Sequence, residues 1–330
     1  MSIDLSTFKT DYSETPLDRI KQLSKSGDPV AQFELALRYG AGNEIRFDSD
    51  IFRFLLTQSA EGGYVEAQFL LSRFCYEGWF DGESRDEEGT IKWLRKAARQ
   101  GHIEARRNLG NYYLMRKSDE SDYEEAAIWL GLASQQGDAP SQFFLSGLYL
   151  AGKGVPKNPE EAIRLLKESA EQSFPPAEAM LGLQYRSGKH LPKDVEESVK
   201  WLTRSAKHGD GRGAFILAMA YHKGEGVPKN EEKELEYLYQ AAESEEPNAM
   251  IVLGFHYLRR NNPEKDPQKS AKWFQRAAKI GHPLAKIALR HFFFYDEETD
   301  TFTLKDKPNQ KQRDEPDFGD DENDFPHFEF

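Results

Sequence analysis

A single cysteine, Cys75, in 330 residues excludes an internal disulfide framework and any metal site built on paired cysteines. No window approaches the roughly 20 consecutive apolar residues that a membrane-spanning helix requires, and Met1 to Thr10 lack a basic stretch followed by an apolar run of leader length. These absences predict a protein of the reducing cytoplasm with no membrane partner. Basic residues are the minority: 44 Lys and Arg stand against 56 Asp and Glu, for a formal charge of −12. That balance argues against direct nucleic-acid binding, which draws on phosphate neutralisation by cations, and favours a basic protein or peptide partner. Motifs of reaction chemistry are missing as well. The chain has no Walker loop, no H-E-x-x-H, no G-x-S-x-G after a strand and no zinc spacing. No catalytic residue, cofactor or metal ligand is assigned, and the expected function is non-enzymatic.

What the chain does contain is a period. Gly27, Gly63, Gly101, Gly137, Ser173, Gly209, Glu245 and Gly281 are separated by 36 residues, except for one step of 38. The eighth residue after each of these markers is a leucine, from Leu35 and Leu71 through Leu145 to Leu289. The fourth is always small, as Ala31, Ser141 or Gly213, which suits helices approaching to within about 8–10 Å. The twelfth is aromatic in every unit except one, where Cys75 stands and is read as an inert core thiol. The fifteenth is Gly42, Gly78, Gly152, Gly188 or Gly224, the residue type of a left-handed helix C-cap.

Eight residues before the next marker stands Trp93, Trp129, Trp201 or Trp273, so four of the five tryptophans are assigned to the core. A small residue lies five positions after each of them. Each unit is therefore predicted to be two helices joined by a turn. The runs Gly152-Lys-Gly154-Val155-Pro156 and Gly224-Glu-Gly226-Val227-Pro228 recur at the repeat period, which makes them turns rather than phosphate cradles. His102, His208 and His282 flank markers and are expected to decorate inter-repeat turns, with no ligand cluster for a metal.

The pattern A-x-x-x-L-G-x-x-Y-x-x-G…A-x-x-W-x-x-x-A-A-x-x-G resembles the Sel1-like repeats, relatives of the tetratricopeptide repeats, over about residues 17–293. The resemblance implies an all-α, right-handed α-solenoid of about seven helix-turn-helix repeats. It would be preceded by a polar segment, 1–16, and followed by a cap and linker, 294–313, and an acidic tail, 314–330. Departures are Arg116 and Arg260 in place of the turn glycine, Glu245 at a marker, and a longer acidic loop at 78–89. His291 to Tyr295 is expected to extend or cap the last helix, and Thr301 to Leu304 to form a short strand.

Recognition is expected where residues vary inside a constant frame. The seventh, eleventh and fourteenth positions after each marker lie on one stripe of the first helix and change type from unit to unit. In tetratricopeptide-like solenoids the first helices line a concave groove, so the resemblance implies partner contacts at Asn108, Tyr112, Gln184 and His256. Phe144 and Leu148 would distinguish the central copy. Packing of the apolar members between repeats is the competing reading.

The tail carries eight acids, no Lys or Arg, and Phe318, Phe325, Phe328 and Phe330. It resembles the acidic, Phe-terminated tip of bacterial single-stranded-DNA-binding proteins, and disorder in the free chain is expected of it. Such a segment suits docking into a basic pocket, into the chain's own groove, or into the cleft of a basic toxin. The leading expectation is a bacterial cytoplasmic adaptor; the alternative is an immunity or inhibitor protein that neutralises a basic effector.

The register itself is testable. Leu145→Ala should lower stability by about 2–5 kcal/mol through a cavity between helices, whereas substitution of Glu160 should change it little. Equal shifts in denaturation midpoint would refute the register.

Overall fold

The structure is a computed structural model that describes residues 4–42, 45–78, 85–116, 119–259, 265–296 and 301–305. Phe318, Phe325, Phe328 and Phe330, the centre of the acidic loop and Arg260 lie outside the described residues. After a 3-10 turn, Leu5–Thr7, comes α1 (Leu17–Lys25), which begins where the periodic pattern does. Helical hairpins follow: α2 (Pro29–Ala41) with α3 (Ser49–Glu61), α4 (Val65–Glu77) with α5 (Glu87–Arg99), and α6 (Ile103–Arg116) with α7 (Glu120–Ser134). Next are α8 (Ala139–Ala151) with α9 (Pro159–Glu171), α10 (Pro175–Ser187) with α11 (Val195–Lys207), α12 (Gly211–Lys223) with α13 (Glu231–Glu243), and α14 (Pro247–His256) with α15 (Pro267–Lys279). A final helix, α16 (Pro283–Phe292), leads into a hairpin of β1 (Phe293–Asp296) and β2 (Thr301–Leu304).

The markers end the second helix of each hairpin, and all eight have left-handed φ, between 61° and 96°. The geometry has one purpose. At each marker the next residue turns its N–H back to a carbonyl five residues earlier, as Asp138 does to Ala133 at 3.2 Å and His282 to Ala277 at 3.0 Å. This bond closes the orphan carbonyls of the helix end and requires positive φ at the intervening residue. Glycine adopts that φ without strain; Ser173 and Glu245 adopt it at 62° and 61°, the two non-glycine residues that do so among the described residues. The residue that follows often caps the next helix: Asp28, Asp138 and Asp210 accept hydrogen bonds from N–H groups in the first turns of α2, α8 and α12. Gly42, Gly78, Gly152, Gly188 and Gly224 are left-handed C-caps of the first helices, as their spacing predicted.

The chain divides into two compact units, residues 1–165 and 166–330, with the division inside α9. In the first unit Phe33, Phe52, Leu56 and Phe74 form one core cluster, and Leu94, Leu109, Leu130 and Leu145 belong to another. In the second, Leu202, Leu217, Leu238, Leu253 and Phe274 share one cluster. All eight small residues at the fourth position are buried, and so are the leucines at the eighth, except Leu289 in the last unit, which is partly exposed. Cys75 is buried, as expected.

The histidines beside the markers tie a turn to the repeat before it. His102 stacks on Phe69 at 4.2 Å with Nε2 3.4 Å from Glu66, and His208 Nδ1 lies 2.7 Å from the fully buried Glu178. His282 Nε2 stands 3.4 Å from Asn248 Oδ1, and burial holds its imidazole below the usual histidine range.

Two expectations are corrected. Trp93 is buried, but Trp129, Trp201 and Trp273 keep an exposed edge, because their helix face meets solvent on one side. Cations cover that side: Arg204 lies 4.5 Å above the Trp201 ring and Arg276 4.7 Å above Trp273. The run from His291 to Tyr295 does not extend the helix beyond Phe292. Phe293–Asp296 instead pairs antiparallel with Thr301–Leu304, placing Phe293 against Phe274 and closing the apolar end of the last hairpin.

The glycine loops cross from one repeat to the preceding one. A Cβ on Gly154 would stand 2.1 Å from the Tyr123 carbonyl carbon at the start of α7, and one on Gly226 would stand 2.5 Å from the Val195 oxygen at the start of α11. Gly154 N–H also donates to Glu120 Oε1 at 2.7 Å.

Ser173→Gly and Glu245→Gly should each raise stability by about 0.5–1 kcal/mol by relieving left-handed strain. Gly154→Ala should lower it by about 2–3 kcal/mol through backbone overlap. Urea midpoints of the three variants check both signs.

Candidate partner-binding site

The stripe of first-helix residues at the seventh and eleventh positions is not uniformly open. Asn108 on α6 is exposed, whereas Phe144 on α8 is half-buried edge-on to Phe143, with ring centroids 5.4 Å apart. Leu148 is only 5% exposed and belongs to the core of the first unit, so it supports the surface rather than presenting to a partner. Gln184 on α10 is half-buried; its Nε2 lies 3.9 Å from Met180 Sδ, and its Oε1 is buried without a hydrogen-bond partner among the described residues. Tyr112 and His256 are half-buried, and each lines a depression.

Two depressions, one in each unit, occupy the same place in the repeat. In the first unit Glu87, Ile91 and Arg95 of α5 face Tyr112, Tyr113 and Arg116 of α6 across about 690 Å³. In the second, Glu231, Glu234 and Leu235 of α13 face His256 and Arg259, with Tyr221 and His222 of α12 on the rim, across about 230 Å³. Glu87 and Glu231 both stand 14 residues before the intervening marker, Ile91 and Leu235 stand 10 before it, and Tyr112 and His256 stand 11 after it. Each slot thus lies between a second helix and the first helix of the next repeat, with an acid, an aliphatic side chain and a ring at matching positions.

The electrostatics are those of a mixed hydrogen-bonding surface. The Tyr112 hydroxyl donates to Glu87 Oε1 at 2.6 Å, and that bond, together with burial, raises the phenol above its ordinary range. Arg95 donates to the Tyr113 hydroxyl. In the second slot His222 Nδ1 lies 3.0 Å from Glu234 Oε2, and burial lowers Arg259 from the usual guanidinium range while Glu234 and Glu231 oppose the shift. Among the described residues no group of three or more His, Cys, Asp or Glu is poised to hold a metal ion.

In the repeats with Gly154 and Gly226, the loop lies across the first turn of the preceding second helix, at Tyr123 and Val195, each also 14 residues before its marker. The repeats that adjoin these two depressions have Arg116 and Arg260 where the first loop glycine would stand, and Ser118 and Asn262 at the second. The sequence signal for the slots was therefore the departure from the repeat pattern. Arg95, Arg116, Glu87 and Glu231 stand there off the variable stripe, and Arg259 stands at its fourteenth position.

In the first repeat the chain's N-terminal segment stands where the start of a second helix stands in later repeats: Ser13 lies 14 residues before Gly27, as Glu87 and Glu231 lie before their markers. Arg38, 11 residues after Gly27, donates from Nη2 to the carbonyls of Tyr12, Ser13 and Thr15 at 3.2, 3.0 and 2.9 Å. Its Nε donates to Glu34 Oε1 at 2.8 Å, and the other Glu34 oxygen accepts from the Thr10 hydroxyl at 2.8 Å. Phe8 meets Phe33 edge-on with centroids 5.8 Å apart, and Tyr12 donates to Asp28 at 2.9 Å.

Comparison with known proteins agrees with this architecture. Sel1 repeats are matched at residues 29–64, 65–102, 103–138, 139–174, 175–210, 211–245 and 247–282. The crystal structure of c5321, a protective antigen present in uropathogenic Escherichia coli strains with an SLR fold, is 29% identical and has a TM-score of 0.68. That match covers 82% of this chain and 58% of the E. coli chain, so this chain spans less than two thirds of its relative's length. A Sel1 repeat protein from Oxalobacter formigenes is 27% identical over 88% of this chain and 82% of its own, with a TM-score of 0.69. An immunity protein from Pseudomonas aeruginosa, Pa5087, matches at 18% identity over 66% of this chain and 83% of its own; its TM-score of 0.46 carries nothing about function. Among curated proteins there is no match. With seven consecutive matches across residues 29–282, the chain belongs to the Sel1 repeat family.

Proposed function

We propose that this Sel1 repeat protein is a non-enzymatic adaptor of the cytoplasm that grips an extended segment of a protein partner in its open inter-repeat slots. Sel1 repeat proteins are protein-interaction scaffolds, and the hold of Arg38 and Glu34 on residues 10–15 is the observation that carries the finer reading. An extended segment, residues 10–15, is held on this repeat array through its main-chain carbonyls by a guanidinium and through a hydroxyl by a carboxylate. The α5–α6 slot offers the same chemistry in Arg95, Arg116 and Glu87, and the α13–α14 slot offers it in Arg259, Glu231 and Glu234. Aliphatic floors at Ile91 and Leu235 suit an apolar partner side chain. The rim acids, within a chain of formal charge −12, favour a segment carrying basic side chains. Tyr112 and His256 remain the stripe residues placed to touch it, with Asn108 one turn away from Tyr112.

A photo-crosslinking residue at Ile91 or Leu235 should capture the same partner in native cells, and one at Glu61 or Lys207, exposed positions away from both slots, should not. Arg95→Ala or Arg259→Ala should weaken binding of the captured partner roughly 10- to 150-fold, the loss of one charge-assisted hydrogen bond. Equal capture at Glu61 and Lys207, or unchanged affinity in both arginine variants, overturns the proposal.

A further inference from the structure

The chain is acidic overall, yet its last helical hairpin is not. Residues 265–292 carry Lys265, Lys269, Lys272, Arg276, Lys279, Lys286 and Arg290 against a single acid, Asp266. Asp266 is engaged as the N-cap of α15, accepting from the N–H groups of Gln268 and Lys269 at 3.0 and 3.1 Å. Including the acidic run 296–300 and Lys305, residues 265–305 still carry a net +3. Arg276 is paired with Glu243 at 2.9 Å, but among the described residues Lys272, Lys279, Lys286 and Arg290 have no carboxylate within ion-pair distance. The same module exposes large apolar side chains: Ile280 is 44% accessible, Phe294 63% and Tyr295 51%.

The segment with matching chemistry is tethered to this surface. The Lys305 N–H donates to the Phe292 carbonyl at 2.8 Å, pinning the chain at the end of α16, and the Lys305 ammonium lies 5.0 Å over the Phe294 ring. Residues 314–330, with eight acids, no Lys or Arg and four phenylalanines, begin 9 residues further on. Nine residues reach at most about 30 Å, whereas a helix the length of α15 spans about 20 Å. The tether therefore allows the tail to reach any part of the hairpin, at an effective concentration on the order of millimolar.

We propose that residues 314–330 dock in cis on the basic outer surface of the α15–α16 hairpin, the acids facing Lys272, Lys279 and Lys286 and the phenylalanines covering Ile280, Phe294 and Tyr295. The interaction masks the basic end of an otherwise acidic repeat array, and it weakens with salt because its charges are exposed. It is independent of the slots: loss of partner binding there leaves it intact. The alternative basic surface, on α5 with Lys92 and Lys96, lacks the short tether.

Zero-length carbodiimide crosslinking of the full chain, as an equal mixture of unlabelled and ¹⁵N-labelled protein, tests this. Cis docking predicts isotopically unmixed links from acids of 314–330 to Lys272, Lys279 and Lys286, lost at high salt. It also predicts that acetylation of these lysines is slow in the full chain and rises to the rate of the exposed Lys207 when the chain is ended at Arg313, with the helical circular dichroism unchanged. Isotopically mixed links place the tail on a second copy, links centred on Lys92 and Lys96 place it on α5, and unaltered acetylation on truncation shows an unbound tail; each of these overturns the proposal.

Discussion

Every repeat in this chain depends on one backbone bond, the N–H after a left-handed marker reaching back to the carbonyl five residues earlier. It stops the second helix, satisfies its end and aims the chain into the next first helix at an almost constant interval. Because the turn is made by the backbone, the side chain at the marker is free to vary where the fold can carry the strain, and Ser173 and Glu245 do so. Lateral bonds then stitch one turn to the next. Gln100 Nε2 donates to the Gly63 carbonyl at 3.0 Å, and Gln136 Nε2 to that of Gly101 at 3.2 Å, a repeat apart in each case. Helix packing on the small fourth-position residues follows from that spacing.

The two described depressions adjoin repeats that depart from the glycine pattern. A repeat with two loop glycines lays its loop over the preceding second helix, and at Gly154 and Gly226 there is no room for even a methyl group. Where arginine replaces the first of those glycines, at Arg116 and Arg260, the corresponding place is a depression lined by rings, guanidinium groups and acids. In the first repeat Arg38 and Glu34 hold residues 10–15, which stand where later repeats begin a second helix.

Much of the fold was legible because it rests on local rules: a positive-φ residue at the marker, small residues where helices cross, and leucine where a side chain is sealed. The short strand at Thr301–Leu304 was legible from its β-branched and aromatic residues, but its partner was not, since Phe293–Asp296 reads as a continuation of a helix until tertiary pairing claims it. Trp93 is buried as its period predicts, whereas Trp129, Trp201 and Trp273 are only partly buried, because period alone reports which side a residue faces, not how far neighbours cover it. Of the residues lining the two depressions, Tyr112 and His256 stand on the variable stripe, whereas the α5 and α13 residues opposite them recur at the same period but lie on second helices, off that stripe. Leu148 shows the same limit from the other side: a stripe position in register with Tyr112 is sealed into the core.

The account stands on the claim that the open slots take an extended segment as Arg38 and Glu34 hold residues 10–15. Hydrogen exchange on the full chain, alone and with its captured partner bound, tests this most directly. The predicted result is slowed exchange at the first turns of α5 and α13 and the last turns of α6 and α14. Slowing confined to the marker turns, with the slot-lining turns unchanged, would contradict it.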